Sequence, residues 1–148
     1  MKNWSLLVAV FLVGCASKPS LTSSNDLLGC WKSEKIVLFN ADGTSRTQPT
    51  STLCTISFTK ELISTACTSQ QNTPRVGYSY RIVQPGVYHT TMVSHMRPEL
   101  VGSERDYEYK IENDRLFITT YPQTTKPAPI SPAARTESEN SRISCSDV

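Results

Sequence analysis

Nothing in this chain could cross a bilayer as a helix: its one strongly apolar run, Leu6 to Val13, falls far short of the roughly 20 residues a span requires. Charge of one sign is also scarce. Lys and Arg total 15 against 13 Asp and Glu, a formal net charge of +2, which argues against the basic face that nucleic-acid binding needs. There are two histidines, His89 and His95. Glu99 or Asp106 could approach them, but no third ligand stands at a recognisable spacing, and no CxxC or Cys/His pattern suggests zinc. No metal and no cofactor is therefore expected. Paired carboxylates, a phosphate-cradling Gly loop and a nucleophile elbow are all missing. Ser57 and Lys60 match the letters of a Ser-x-x-Lys acyl-enzyme motif, yet that chemistry places the serine at a helix start with the lysine one turn on. Here the pair straddles a strand end, and an enzyme is not expected. Helical periodicity is absent as well, which leaves strands as the material of the fold.

What is present begins with Lys2, the apolar run and Gly14-Cys15. A basic start, a short apolar segment and a small-residue cut site make a secretory signal. Leu12-Val13-Gly14-Cys15 resembles the lipobox of bacterial lipoproteins, in which Leu, a small or branched residue, and Gly or Ala precede Cys. The resemblance implies that residues 1–14 are removed and that Cys15 becomes the lipidated first residue. Because Ala16 rather than Asp follows, it also implies the outer membrane, facing the periplasm or the exterior. With Lys2 lost, 14 basic residues face 13 acidic ones, so attachment rests on lipid rather than on a polybasic patch. Each buried methylene contributes roughly 0.8 kcal/mol, and two or more chains hold firmly. Residues 15–26 are rich in Ser and Thr, carry Pro19, and read as a flexible tether.

Assigning Cys15 to lipid leaves Cys30, Cys54, Cys67 and Cys145 in an oxidising compartment, where two disulfides are the default and three pairings are open. One hairpin narrows them. Ile56-Ser57-Phe58 and Leu62-Ile63-Ser64-Thr65 flank Lys60-Glu61. A two- or four-residue loop centred there sets position 56 against 65, 58 against 63, and Cys54 against Cys67. Cys30 and Cys145 are then left to each other, a bridge that pins the carboxyl-terminal tail to the first strand.

In chain order, folded structure is expected to begin at Leu27. From Cys30 to Phe39 the pattern is extended but changes phase, which a bulge near Glu34-Lys35 reconciles. Asn40-Ala41-Asp42-Gly43 is a turn, and 44–52 is at best a short edge strand plus loop. Tyr78, Tyr80 and Ile82 alternate with polar residues, Pro85-Gly86 turns the chain, and Tyr88 to Val93 returns. Ser94 to Asp106 reads as an exposed loop. Tyr107, Tyr109 and Ile111 alternate with charged residues, and Asn113-Asp114 turns into Leu116 to Tyr121, setting Ile111 against Leu116 and Tyr109 against Ile118. From Pro122 four prolines fall within eleven residues, so 122–148 reads as a tail without a core of its own.

Seven or eight strands in sequential hairpins imply an all-β antiparallel meander, and closure into a barrel removes its edges. A two-sheet sandwich or an OB-like barrel fits the same strands. Through Leu28-Gly29-Cys30-Trp31, the Asp42-Gly43 turn, the Ile56-to-Ile63 hairpin and the run from Tyr109 to Leu116, the chain resembles the small lipocalin-like, or calycin, lipoproteins over residues 27–121. The resemblance implies a β-barrel that binds a small apolar or amphipathic ligand without catalysis. Tyr78, Tyr80, Tyr107, Tyr109, Phe58 and Met92 are the candidate lining, with Ile118. The same side chains can instead fill the interior, because an eight-stranded barrel is just wide enough to pack solid. A solid barrel would make the chain a tethered interaction module, such as an envelope assembly factor, an inhibitor or an immunity protein. Its partner would be an envelope protein read by the 94–106 loop through His95, Arg97, Glu99 and Arg105.

Overall fold

The computed structural model describes residues 24–49, 54–67, 75–121 and 133–147. The leader, Cys15, most of the tether and 122–132 of the Pro-rich segment lie outside the described residues. A single helical turn, α1 (Ser24–Leu27), precedes nine strands among the described residues. These are β1 (Gly29–Phe39), β2 (Ser45–Thr47), β3 (Cys54–Phe58), β4 (Leu62–Cys67), β5 (Arg75–Gln84), β6 (Val87–Ser94), β7 (Glu104–Glu112), β8 (Arg115–Thr120) and β9 (Arg135–Ile143). Pairing is antiparallel and sequential from β3 to β9, and β1 joins β3 on one edge and β9 on the other. Eight strands thus close a barrel, while β2 extends the β3 edge of β1 opposite Val37 to Phe39. A meander closed in this way excludes the sandwich and the five-stranded Greek-key barrel.

The turns explain the register. Asn113 and Asp114 both take positive φ, 51° and 58°, which makes the two-residue hairpin whose twist matches its strands. It sets Tyr109 opposite Ile118 and Ile111 opposite Leu116. At Pro85-Gly86 the glycine has φ 76°, and a Cβ there would sit 3.2 Å from the Tyr109 carbonyl oxygen. In the β3–β4 hairpin the Thr59 hydroxyl accepts from the Leu62 N–H at 3.1 Å, so the Lys60-Glu61 turn is closed by a side chain where its residues are poor turn formers. Cys54 stands opposite Cys67, and the two are bonded.

The phase change in β1 is a register shift between Ser33 and Lys35. Trp31 and Ser33 are buried before it and Leu38 after it, while Phe39 faces outward with the Arg135 guanidinium 4.1 Å above its ring. At the α1 end the interior is packed. Leu27, Trp31, Phe58, Ile63, Tyr88, Tyr109, Leu116 and Ile118 form one cluster. The Trp31 indole N–H donates to the Leu27 carbonyl at 2.9 Å. Arg142 lies 4.0 Å over the Trp31 ring and donates to the carbonyls of Leu28 and Asp26. The Cys30–Cys145 bridge closes the same end.

Two expectations are corrected here. The 122–148 segment is not simply a tail, because Arg135 to Ile143 is the strand that closes the barrel, so the domain runs beyond residue 121. Its inward positions carry Thr136, Ser138 and Asn140, which leave no apolar alternation to read. Ser24–Leu27 also forms α1, ahead of the expected start of the fold at Leu27, a single turn too short to show a helical period.

Candidate functional site

Away from α1 the barrel is hollow. The inner lobe of the cavity, about 230 Å³, lies among Ile36, Ile56, Ile63, Tyr78, Tyr88, Tyr107 and Ile118 on its apolar side and Ser33, Thr65, Thr90, Thr120, Thr136 and Ser138 on its polar side. A second lobe of about 310 Å³ shares Tyr78, Thr90 and Tyr107 with it and extends past Leu38, Met92 and Gln48 to Ser103 and Arg105. Period-two alternation produces this lining. Tyr88, Thr90 and Met92 point inward from β6, and Arg105, Tyr107 and Tyr109 from β7.

The aromatic candidates divide between the two ends. Phe58, Tyr80 and Tyr109 belong to the packed end: Phe58 meets Tyr80 edge-on at 5.7 Å, and the Tyr80 hydroxyl donates to the Thr59 carbonyl at 2.8 Å. They are corrected from cavity lining to cavity floor. Tyr78, Tyr107 and Met92 do line the cavity. Tyr88, not among the sequence candidates, joins the halves. It stacks on Tyr107 at 5.0 Å with 7° between planes, and Phe58 and Tyr80 meet it edge-on. Its place was legible in the parity of Tyr88, Thr90 and Met92.

The polar loop is shorter than expected. β6 continues through Ser94 and β7 begins at Glu104, with a 3-10 turn at Pro98–Leu100 between them. Arg97 and Glu99 are exposed, and His95 accepts from the Arg97 N–H at 2.9 Å. Arg105 is corrected from an exposed loop to a strand, because its side chain points into the cavity. On the outer wall His89 Nδ1 lies 2.7 Å from Asp106 Oδ1 and Nε2 lies 3.8 Å from Glu104. Among the described residues no group of His, Cys, Asp and Glu is arranged to hold a metal ion.

No family model matches the chain, and no curated protein does. Among solved structures, it is similar to the crystal structure of a lipocalin-like protein from Bacteroides uniformis ATCC 8492. The match is 14% identical with a TM-score of 0.51, covering 80% of this chain and 99% of that one. The fold is lipocalin-like. At that identity the likeness concerns the barrel alone, and the lining residues must carry any statement about ligands.

Burial pushes the Tyr88 hydroxyl well above its ordinary range, with the neighbouring tyrosines adding to the shift. Tyr107 is pushed up by burial and drawn partly back by the charge and hydrogen bond of Arg105. Tyr78 is raised by burial and by Tyr107, again opposed by Arg105. All three remain neutral hydroxyls where free tyrosine would ionise. A folded-state value above the unfolded one gives stability that is complete below the unfolded value, about pH 10, and is lost as pH climbs through the folded value. Urea unfolding followed by far-UV circular dichroism should therefore show a falling midpoint above about pH 10. The slope is about 1.4 kcal/mol per pH unit for each tyrosine ionised only on unfolding. A midpoint constant to about pH 12 would contradict the buried placement of these rings.

Proposed function

We propose that this chain is an outer-membrane lipoprotein, anchored through Cys15, whose barrel holds a small apolar or amphipathic ligand without catalysing a reaction. The observation that carries the binding reading is the cavity itself. A barrel of this size is able to pack solid, yet here the side chains fill only the α1 end and leave about 230 Å³ between an aromatic wall and a hydroxyl-rich one. Small-molecule sites have that character, mostly apolar with a few placed polar groups. The lipobox resemblance of Leu12 to Cys15 supports the anchor.

Native mass spectrometry of the chain purified from the membrane fraction of producing cells tests both parts. The expected spectrum carries a non-covalent adduct of single-chain size, together with a covalent acyl mass at Cys15. Thr136 borders both lobes, and Thr136→Trp should obstruct the space they share and weaken the adduct while keeping the acyl mass and the fold. An adduct undiminished in that variant would place the ligand outside the barrel. A chain with no acyl mass would refute the anchor.

A further inference from the structure

The inward residues of β7 are Arg105, Tyr107, Tyr109 and Ile111, and among the described residues around either lobe Arg105 alone carries a charge. Its side chain borders the second lobe, whose lining also includes Leu38, Met92, Tyr78 and Tyr107 together with Gln48, Ser103 and three threonines. The Nη2 atom is buried and has no hydrogen-bond partner among the described residues. The Tyr107 hydroxyl engages the group through a hydrogen bond, but a neutral phenol does not neutralise a cation. No described carboxylate forms an ion pair with Arg105. Segments 1–23, 50–53, 68–74 and 122–132 contain neither Asp nor Glu. Asp147 follows Cys145, which is bonded to Cys30 at the opposite, α1 end. Arg105 is half-buried, and a cation whose buried donor has no partner is costly to a fold. Its planar fork of donors matches a carboxylate in two parallel hydrogen bonds.

We propose that the ligand is a single-chain amphiphile with a carboxylate head, the head paired with Arg105 and the chain running inward past Tyr78 and Tyr107 toward Tyr88. This rests on the ligand-holding reading above and narrows it. The inner lobe, about 230 Å³, suits one chain rather than a two-chain lipid. Its apolar wall meets the chain, and the carboxylate head supplies Arg105 with the counter-charge that no described acidic residue provides.

The test uses the full chain with both disulfides formed and the uncharged reporter N-phenyl-1-naphthylamine, displaced at pH 8 by sub-micellar laurate or by 1-dodecanol, which has the same chain without the charge. Laurate should displace the reporter at a concentration about 10- to 100-fold lower than dodecanol, the range expected for hydrogen bonds to a charged group. Arg105→Gln should bring laurate to the dodecanol level and leave dodecanol within about twofold, while Arg105→Lys keeps part of the preference. Equal displacement by the two compounds in the unmodified chain overturns the carboxylate assignment, as does a preference that survives Arg105→Gln; in both cases reporter binding still upholds the cavity as a ligand site. Failure of the reporter, laurate and dodecanol alike to bind the unmodified chain overturns both readings. The comparison in the unmodified chain decides the matter even if the glutamine variant does not fold.

Discussion

Replacing Cys30 and Cys145 together by alanine should lower the unfolding free energy by about 4–5 kcal/mol and the midpoint of thermal unfolding by some 15 °C or more. The bridge spans 115 residues of sequence, so in the unfolded chain it restrains nearly the whole domain, and a loop near 100 residues corresponds to about 4.7 kcal/mol in the entropic model. The Cys54–Cys67 bridge spans 13 residues and is worth about 3 kcal/mol on the same basis. Alanine suits the test because Cys30 is buried, and a serine hydroxyl there would add a desolvation cost of its own. The folded state adds to the difference. The larger bridge lies where β9 meets β1 beside Trp31 and Arg142, and that seam converts an open sheet into a barrel. Denaturant unfolding of the two double-alanine variants side by side checks the order. A larger loss from the Cys54/Cys67 pair would contradict the account of the seam.

Legibility in the sequence followed wherever a strand had one apolar face. The β3–β4 hairpin could be registered to the residue because Cys54, Ile56 and Phe58 oppose Cys67, Thr65 and Ile63. The same holds for β7 and β8, where Tyr109 and Ile111 oppose Ile118 and Leu116. The bulge in β1 was visible because Trp31 and Leu38 both want the inside yet stand an odd number of residues apart. Arg105 misled because a charged residue in a polar stretch is ordinarily solvated, and only the continuation of β7 parity back from Tyr107 turns it inward. Alternating tyrosines also read alike whether a barrel is full or hollow. What separates the cases is the stacking of Tyr88 on Tyr107 above a floor of Phe58 and Tyr80, a relation among four strands that no local pattern contains.

Asn140→Ala should cost about 3 kcal/mol, a large effect for one polar side chain, and the reason is also why β9 went unread. Asn140 is fully buried and Ser33 opposite it nearly so, at 0% and 1% exposure. The Ser33 hydroxyl donates to Asn140 Oδ1 at 2.7 Å, and Asn140 Nδ2 donates to the Leu116 carbonyl at 2.9 Å and the Ser138 hydroxyl at 3.1 Å. One side chain thus ties β9 to both of its neighbours, β1 and β8, at the closing seam. Truncation leaves the nearly fully buried Ser33 hydroxyl without its acceptor, a penalty of about 1–3 kcal/mol, and adds the loss of packing around the missing amide. A strand with an apolar inner face would be drawn inward by burial alone. This one, with Thr136, Ser138 and Asn140 inside, is placed by ladder pairing and by this network. A compensating pair of substitutions separates the Ser33–Asn140 bond from the strand. Ser33→Ala with Asn140→Leu removes donor and acceptor together, and exchanging both partners for apolar groups of similar size can be nearly neutral. The double variant should therefore recover much of the loss seen for Asn140→Ala, with unfolding measured by urea titration. If the single variant costs less than about 1 kcal/mol, ladder pairing alone holds the seam. If the double variant is as unstable as the single one, burial of Asn140 rather than its pairing with Ser33 sets the register in which β9 closes the barrel.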